Sequence, residues 1–179
     1  TIEGCTSLQG SGLAAPKSIP AAPSVTVVDN CDSTSLLSTS AEGTLLWTAA
    51  ATGNGSFDVE IDDSDNIYAI SYLTNAVSPT SGDDITMTKF SSTGTQLWKK
   101  DYHFGGSEFP TRFTYSNGRL SGIGWGPSTP AAYFDWKIFQ VDTEGTLLWN
   151  SIYDGTPSND EHPYFITAKP SGEVIVTGK

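Results

Sequence analysis

The chain has 179 residues, enough for one domain with a sizeable core, and 37% of them are hydrophobic, so a folded protein is expected. Nine basic residues stand against twenty acidic ones, a formal net charge of −11 with no run of Lys or Arg, which excludes nucleic acid as a partner because phosphates are held by clustered cations. Eighteen Gly, ten Pro and a single Met argue for turns and strands over helices, and no apolar stretch is long enough to cross a bilayer as a helix.

Residues 1 to about 23 carry Gly10-Ser-Gly12, Ala14-Ala-Pro16 and Pro20-Ala-Ala-Pro23, a composition that buries little apolar surface and predicts an extended linker whose order depends on docking. The stretch lacks an initiator Met and a signal-peptide core, which fits a processed or excised segment. A strand over 24–28 leads into Asp29-Asn-Cys-Asp32, so residues 1–34 are a linker with a docking strand. Cys5 and Cys31 are the two cysteines and belong to no Cys-x-x-Cys or Cys/His metal pattern; a disulfide between them is expected, the alternative being two unpaired thiols.

From residue 35 the chain repeats. Gly43-Thr-Leu-Leu-Trp47, Gly94-Thr-Gln-Leu-Trp98 and Gly145-Thr-Leu-Leu-Trp149 stand 51 residues apart, as do Leu36, Met87 and Ile138 upstream of them. Three repeats follow, over about 35–85, 86–136 and 137–179. In the second, strands are predicted at 86–90, 95–101, 111–115 and 119–125, with turns at Ser91-Ser-Thr-Gly94 and Ser116-Asn-Gly118, where Thr-Gly and Asn-Gly supply the positive φ of tight hairpins. Asp63-Ser-Asp-Asn66 before Ile67-Tyr-Ala-Ile70, and Pro170-Ser-Gly172 before Glu173-Val-Ile-Val-Thr-Gly178, mark the equivalent hairpins. The stretch from the first-strand apolar residue to Trp is constant at 11 residues, whereas the stretch from Trp to the second turn varies from 19 to 23, so the hairpin is structural and the variable segments are surface loops.

Four short antiparallel strands in a period near 50 residues are what a β-propeller blade requires. Thr88-Lys-Phe90 with Gly94-Thr-Gln-Leu-Trp98, Phe104-Gly-Gly-Ser107, Asp63-Ser-Asp-Asn-Ile-Tyr68 and Gly172-Glu-Val-Ile-Val-Thr-Gly178 carry the likeness: over roughly residues 35–179 the chain resembles the secreted bacterial β-propeller repeats with Gly-x-x-x-Trp hairpins and Gly-Asn-Val-Tyr-Val-Thr-Gly strand pairs. Arg119-Leu-Ser-Gly122 departs from that pattern, which has an apolar run there. The resemblance implies an all-β fold of β-propeller-type blades, each of four antiparallel strands, and an extracellular or bacterial cell-surface location. Three blades are fewer than the four or so needed to close a propeller, so the expected partner is the remainder of the same polypeptide or another chain completing the ring.

Successive turns of a meander fall on alternate ends of the strands. Turns 91–94 and 116–118 therefore share one end, and loops 102–110 and 126–135 share the other, together with 51–56, 74–84 and 154–163. This long-loop end holds Tyr102, His103, Phe109, Tyr133, Phe134, Asp154, Asp160, Glu161 and His162. Rings beside carboxylates can bind sugars by stacking on C–H faces and accepting hydroxyl hydrogen bonds; packing of these rings beneath their own loops is the alternative. Asp62, Asp63 and Asp65, with Asn66, form the densest oxygen cluster, a candidate Ca²⁺ site that also reads as a hairpin turn; no other cofactor is implied.

His103 and His162 are the only histidines, and no nucleophile elbow, zinc-protease motif or phosphate-cradling loop is present. Asp83-Asp84 and Asp160-Glu161 are paired carboxylates of the kind a glycosidase uses, but they read better as solvated loop acids. Trp47, Trp98 and Trp149, with Gly43, Gly94 and Gly145, read as packing elements between blades, the leucines before each Trp facing the other way. The sequence thus predicts a non-catalytic secreted or cell-surface module serving as scaffold, adhesive or interaction domain of a larger protein. The alternatives are a polysaccharide-binding module and the propeller portion of a secreted glycan-active hydrolase.

Overall fold

The structure is a computed structural model that describes residues 34–39, 45–78, 82–127, 133–155 and 160–179. The linker, the docking strand, Cys5, Cys31 and Gly43 lie outside the described residues. Among those described the fold is all-β without helices, in twelve strands: β1 (Thr34–Thr39), β2 (Leu45–Ala51), β3 (Gly55–Ile61), β4 (Ile67–Thr74), β5 (Asp83–Phe90), β6 (Gln96–Tyr102), β7 (Phe109–Ser116), β8 (Arg119–Gly126), β9 (Asp135–Asp142), β10 (Leu147–Tyr153), β11 (Pro163–Ala168) and β12 (Val174–Gly178). No helix among them is long and apolar enough to cross a membrane.

The strands form antiparallel meanders: a β1-β2 hairpin, two four-stranded sheets, β3-β4-β5-β6 and β7-β8-β9-β10, and a β11-β12 hairpin. The four strands of the second repeat lie within a few residues of the positions expected from the sequence, but the sheet boundaries differ. The four strands of the second sequence repeat divide between two sheets, because 102–110 is the crossover from one sheet to the next, whereas 74–83 joins two paired strands. A periodic sequence specifies the period and leaves the starting strand undetermined.

The main core lies between the two four-stranded sheets. Tyr68, Ile70, Ile85 and Met87 of one meet Phe113, Leu120, Phe139 and Val141 of the other, with Trp98, Phe104 and Tyr115 packed at the margin. Each such side chain contributes on the order of 2 kcal/mol by leaving water. A smaller cluster of Ala51, Ala69 and Phe90, with Trp47 and Ala49, joins β2 to β4 and β5. β5 and β8 are buried on both faces, which places them inside a stack of sheets. The departure at Arg119-Leu-Ser-Gly122 has a packing cause: a Cβ on Gly122 would run into the Phe139 ring on the paired strand.

Each repeated word builds the same device. The register slips by one residue opposite Leu46, Leu97 and Leu148, so each of these leucines is the extra residue of a β-bulge and remains exposed. The following tryptophan then reaches into the next repeat. Trp47 Nε1 donates to the Ser92 carbonyl at 2.9 Å, and Trp98 Nε1 donates to the Thr143 carbonyl at 3.2 Å, both across 45 residues of sequence. The turn glycines make room: Gly94 and Gly145 have φ of 82° and 76°, and a Cβ on them would sit 2.8 Å from the Trp47 ring and 3.2 Å from that of Trp98. Tyr102 Oη donates to the Gly145 carbonyl at 2.8 Å, and Lys89 Nζ to the Thr143 carbonyl at 3.0 Å, so that turn is held by three side chains once Trp98 is included. Trp149 instead donates to Gln140 Oε1 on the neighbouring strand.

The Asp62–Asn66 segment is a turn, as the alternative reading had it. The buried Asp62 carboxylate accepts from the Ser64 and Asn66 amides, from Asn66 Nδ2 and from Tyr68 Oη, all within 3.2 Å. Asp63 instead accepts from Tyr115 Oη at 2.9 Å, and Asp65 takes the positive-φ position at 60°. Burial opposes the charge on Asp62, but the bonds from Asn66, Tyr68 and Ser64 outweigh it and hold the carboxyl below its usual value, so its stabilisation is full at neutral pH and fades in acid. Asp62→Ala should cost about 2 kcal/mol in urea denaturation at pH 7, because it strands buried donors. An unchanged midpoint would show that the turn does not depend on the carboxylate.

Candidate functional site

All long connections gather at one end of the sheets, where β2, β4, β6, β8 and β10 finish and β3, β5, β7, β9 and β11 begin. The expected residues of this end separate into three groups. Tyr102 is withdrawn from it: the ring is buried in the main core and the hydroxyl is used on the Gly145 carbonyl, a correction to its assignment as a ligand-face residue. Phe109, Phe134 and His162 come together around Trp125. Phe109 stacks on Trp125 at 4.8 Å between centroids, and Phe134 and His162 meet it edge-on at 4.8 and 4.9 Å.

The ring series continues beyond them through residues the sequence did not single out, Tyr72 on Phe109 at 5.2 Å and Phe57 on Tyr72 at 6.0 Å. It thus runs from β3 across β7 and β8 to the start of β11. Its inner members are half-buried, whereas Phe57 and the neighbouring Tyr133 are 44% and 43% exposed. Trp136 meets Tyr153, which is 51% exposed, at 5.0 Å between centroids with the rings tilted 48° to each other. Asp160 is exposed, and its Oδ1 accepts from the Phe134 amide at 3.0 Å, fixing the loop on which Phe134 sits.

His103 belongs to a third group. Its Nδ1 lies 2.9 Å from Asp84 Oδ1 and 3.2 Å from Glu108 Oε2, and both carboxylates are fully buried. The Val77 amide donates to the other Asp84 oxygen at 2.9 Å, and the Glu108 amide donates to the Asp83 carbonyl at 2.6 Å, so backbone bonds aim both acids at the histidine. Burial pushes the Glu108 carboxyl up to about 7, with Asp84 adding to the rise and the His103 charge, the Phe104 amide and the Lys137 charge opposing it. Burial likewise lowers Lys137, against the pull of Glu108 and Asp135.

The same arrangement occurs a second time. Asp135, Asp154 and Glu161 converge with their donor atoms within 4.8 Å, as Asp84, His103 and Glu108 do, and with the same order of buried, exposed and buried residues. Asp84 and Asp135 are 51 residues apart, His103 and Asp154 also 51, and Glu108 and Glu161 are 53 apart across loops of unequal length. The Glu161 amide donates to the Phe134 carbonyl at 2.7 Å, the counterpart of the bond from Glu108 to Asp83. Among the described residues these are the two groups of His and acidic side chains able to hold a metal, and Asp62, Asp63 and Asp65 do not form one. The signal was present in the sequence as Asp at 84 and 135, ligand-type residues at 103 and 154, and Glu before the next strand. It was hidden because His and Asp occupy the same position and the loop lengths differ.

No family model matches the chain, and no curated protein matches it. Among solved structures, it is similar to a protein of unknown function from Bacteroides caccae, at 16% identity and a TM-score of 0.46, covering 76% of this chain and 43% of the other. The chain therefore spans less than half the length of that protein.

Proposed function

We propose that the chain is a non-catalytic secreted or cell-surface module of β-propeller-type blades, acting as an interaction domain whose long-loop end binds neutral polysaccharide. The blade reading is supported by the order in which sheets meet: β7 packs on β3 and β4, and β11 on β7 and β8, so the first strand of each sheet lies against the first strand of the next. It is further supported by the Trp47 and Trp98 contacts, which tie successive repeats through the same bond at the same separation. Inner turns of neighbouring sheets are also linked, Tyr115 Oη donating back to Asp63 and Asn117 Nδ2 donating forward to the Pro170 carbonyl.

The observation that carries the binding reading is the run of rings from Phe57 to His162, which crosses from the first four-stranded sheet over the second to the entry of β11, with exposed Phe57 at one end and exposed Asp160 holding the Phe134 amide at the other. Ring faces stack on the C–H faces of sugars, and carboxylates accept their hydroxyl hydrogens. A net charge of −11 repels anionic polymers and so favours neutral glycans. In affinity electrophoresis through gels containing neutral polysaccharides, the wild type should be retarded. Phe57→Ala and Tyr133→Ala, both at exposed positions, should weaken retardation about fivefold to tenfold without altering the melt. Wild-type migration unchanged by every neutral polysaccharide would remove the sugar reading.

A further inference from the structure

The Asp84, His103 and Glu108 group contains more acceptors than the protein satisfies. Glu108 is fully buried and neither of its carboxylate oxygens has a well-formed hydrogen bond, the nearby Phe104 amide giving it partial support. His103 Nδ1 has one position to share between two acids and is engaged with Asp84, so its 3.2 Å approach to Glu108 Oε2 leaves that carboxylate without a well-formed bond. Two buried carboxylates and one ring nitrogen with donor atoms within 4.8 Å of one another are the ligand types and spacing of a mixed nitrogen and oxygen site. A cation placed there would satisfy the buried Glu108 carboxylate, whose Oε2 faces His103 Nδ1. The backbone bonds from Val77 to Asp84 and from the Glu108 amide to Asp83 supply the outer support that holds metal ligands in place.

We infer that Asp84, His103 and Glu108 form a binding site for a divalent transition cation, of the Zn²⁺ or Mn²⁺ class, at the junction between the two four-stranded sheets. Asp84 comes from the first sheet, on β5; Glu108 sits at the entry to the second, directly before β7; His103 lies at the start of the crossover between them. A cation bound by all three ties the sheets together from the long-loop end, opposite the turns that Trp98 grips. The chemistry of a histidine and two carboxylates suits a transition ion, while the all-oxygen set at the second group suits harder cations. This site is independent of the sugar reading, since none of its three ligands is among the rings assigned to sugar stacking.

The test uses the full chain, freed of metal with chelator and titrated with ZnCl₂ and then MnCl₂ at pH 7.5, followed by calorimetry and thermal melting. The expected result is one equivalent of saturable binding for at least one of the two ions, with a rise of several degrees in the melting temperature. Both effects should be lost in Glu108→Gln and in His103→Ala, and should persist in Asp154→Asn. Absence of binding by either ion would overturn the inference, leaving the group neutralised by a proton and Lys137. Binding that survives both Glu108→Gln and His103→Ala would overturn it as well, because the ions would then be held elsewhere.

Discussion

Replacing Trp98 with alanine should lower stability by about 3 kcal/mol, the low end for removal of a large aromatic ring, because the ring is only half-buried. The ring packs on the margin of the main core and meets Tyr68 edge-on at 5.9 Å, while its Nε1 hydrogen is used on the Thr143 carbonyl. The loss spans two sheets: Trp98 is on β6 and Thr143 in the turn after β9, so the variant loosens the contact between β3-β4-β5-β6 and β7-β8-β9-β10. For a chain of this length the melting temperature should fall by roughly 6–12 °C. Trp98→Phe separates the contributions, since it keeps most of the packing and removes the indole donor, and should cost about half as much. A Trp98→Ala melt within about 2 °C of wild type would mean that the sheets are joined by other contacts.

The equivalent change at Trp149 should be milder. Its indole bonds Gln140 Oε1 on the adjacent strand of its own sheet and holds no turn of another.

The period and the hairpins were legible in the sequence because their causes are local. Gly94 and Gly145 need a positive φ for the turn, and the tryptophan four residues later needs a fixed distance to that turn in the next repeat, so spacing of 51 residues is preserved. What the word does at its centre was not legible. A β-bulge at Leu97 is a property of the pairing between Gln96–Tyr102 and Asp83–Phe90, and nothing in the order Gln-Leu-Trp shows that one residue will be skipped. Sheet membership was hidden for a similar reason. The loop at 102–110 and the connection at 74–83 look alike in composition, yet the first leaves a sheet and the second closes a pair within one.

The site was legible in part. His103, Phe109, Phe134, Asp154, Asp160 and His162 were placed at the correct end because a meander alternates its turns, which is topology and needs no detail of packing. Tyr102 was misplaced with them. As the last residue of β6 its side chain turns inward under strand alternation, one position before His103 turns outward. Glu108 was missed because its role depends on burial, and a Glu inside a Gly- and Ser-rich loop reads as solvated. Its depth comes from the amide bond to Asp83, which draws the loop onto the sheet.

That burial carries the second large effect. In the metal-free protein, kept in chelator, stability should fall as pH rises from about 4.5 to about 7, the interval between the ordinary value of Glu108 and its value in the fold. Below that interval the carboxyl is protonated in both states. Within it the unfolded chain has released the proton and the folded chain retains it, so stability declines by about 1.4 kcal/mol per pH unit, for a total of at most about 3 kcal/mol. Above it both states are ionised and the penalty stays constant. The groups facing Glu108 are Asp84 from β5, His103 from the crossover and Lys137 from β9, and the titration belongs to the set rather than to one carboxyl. Glu108→Gln cannot ionise, so its urea midpoints should lack this decline and exceed those of wild type at pH 8 while matching them near pH 4. The repulsion among the other acids of this acidic chain also grows with pH, but it is common to both proteins and cancels in their difference. Wild-type and variant curves that ran parallel from about pH 4 to about pH 8 would show that Glu108 is already ionised throughout, with Lys137 and His103 compensating its burial in full.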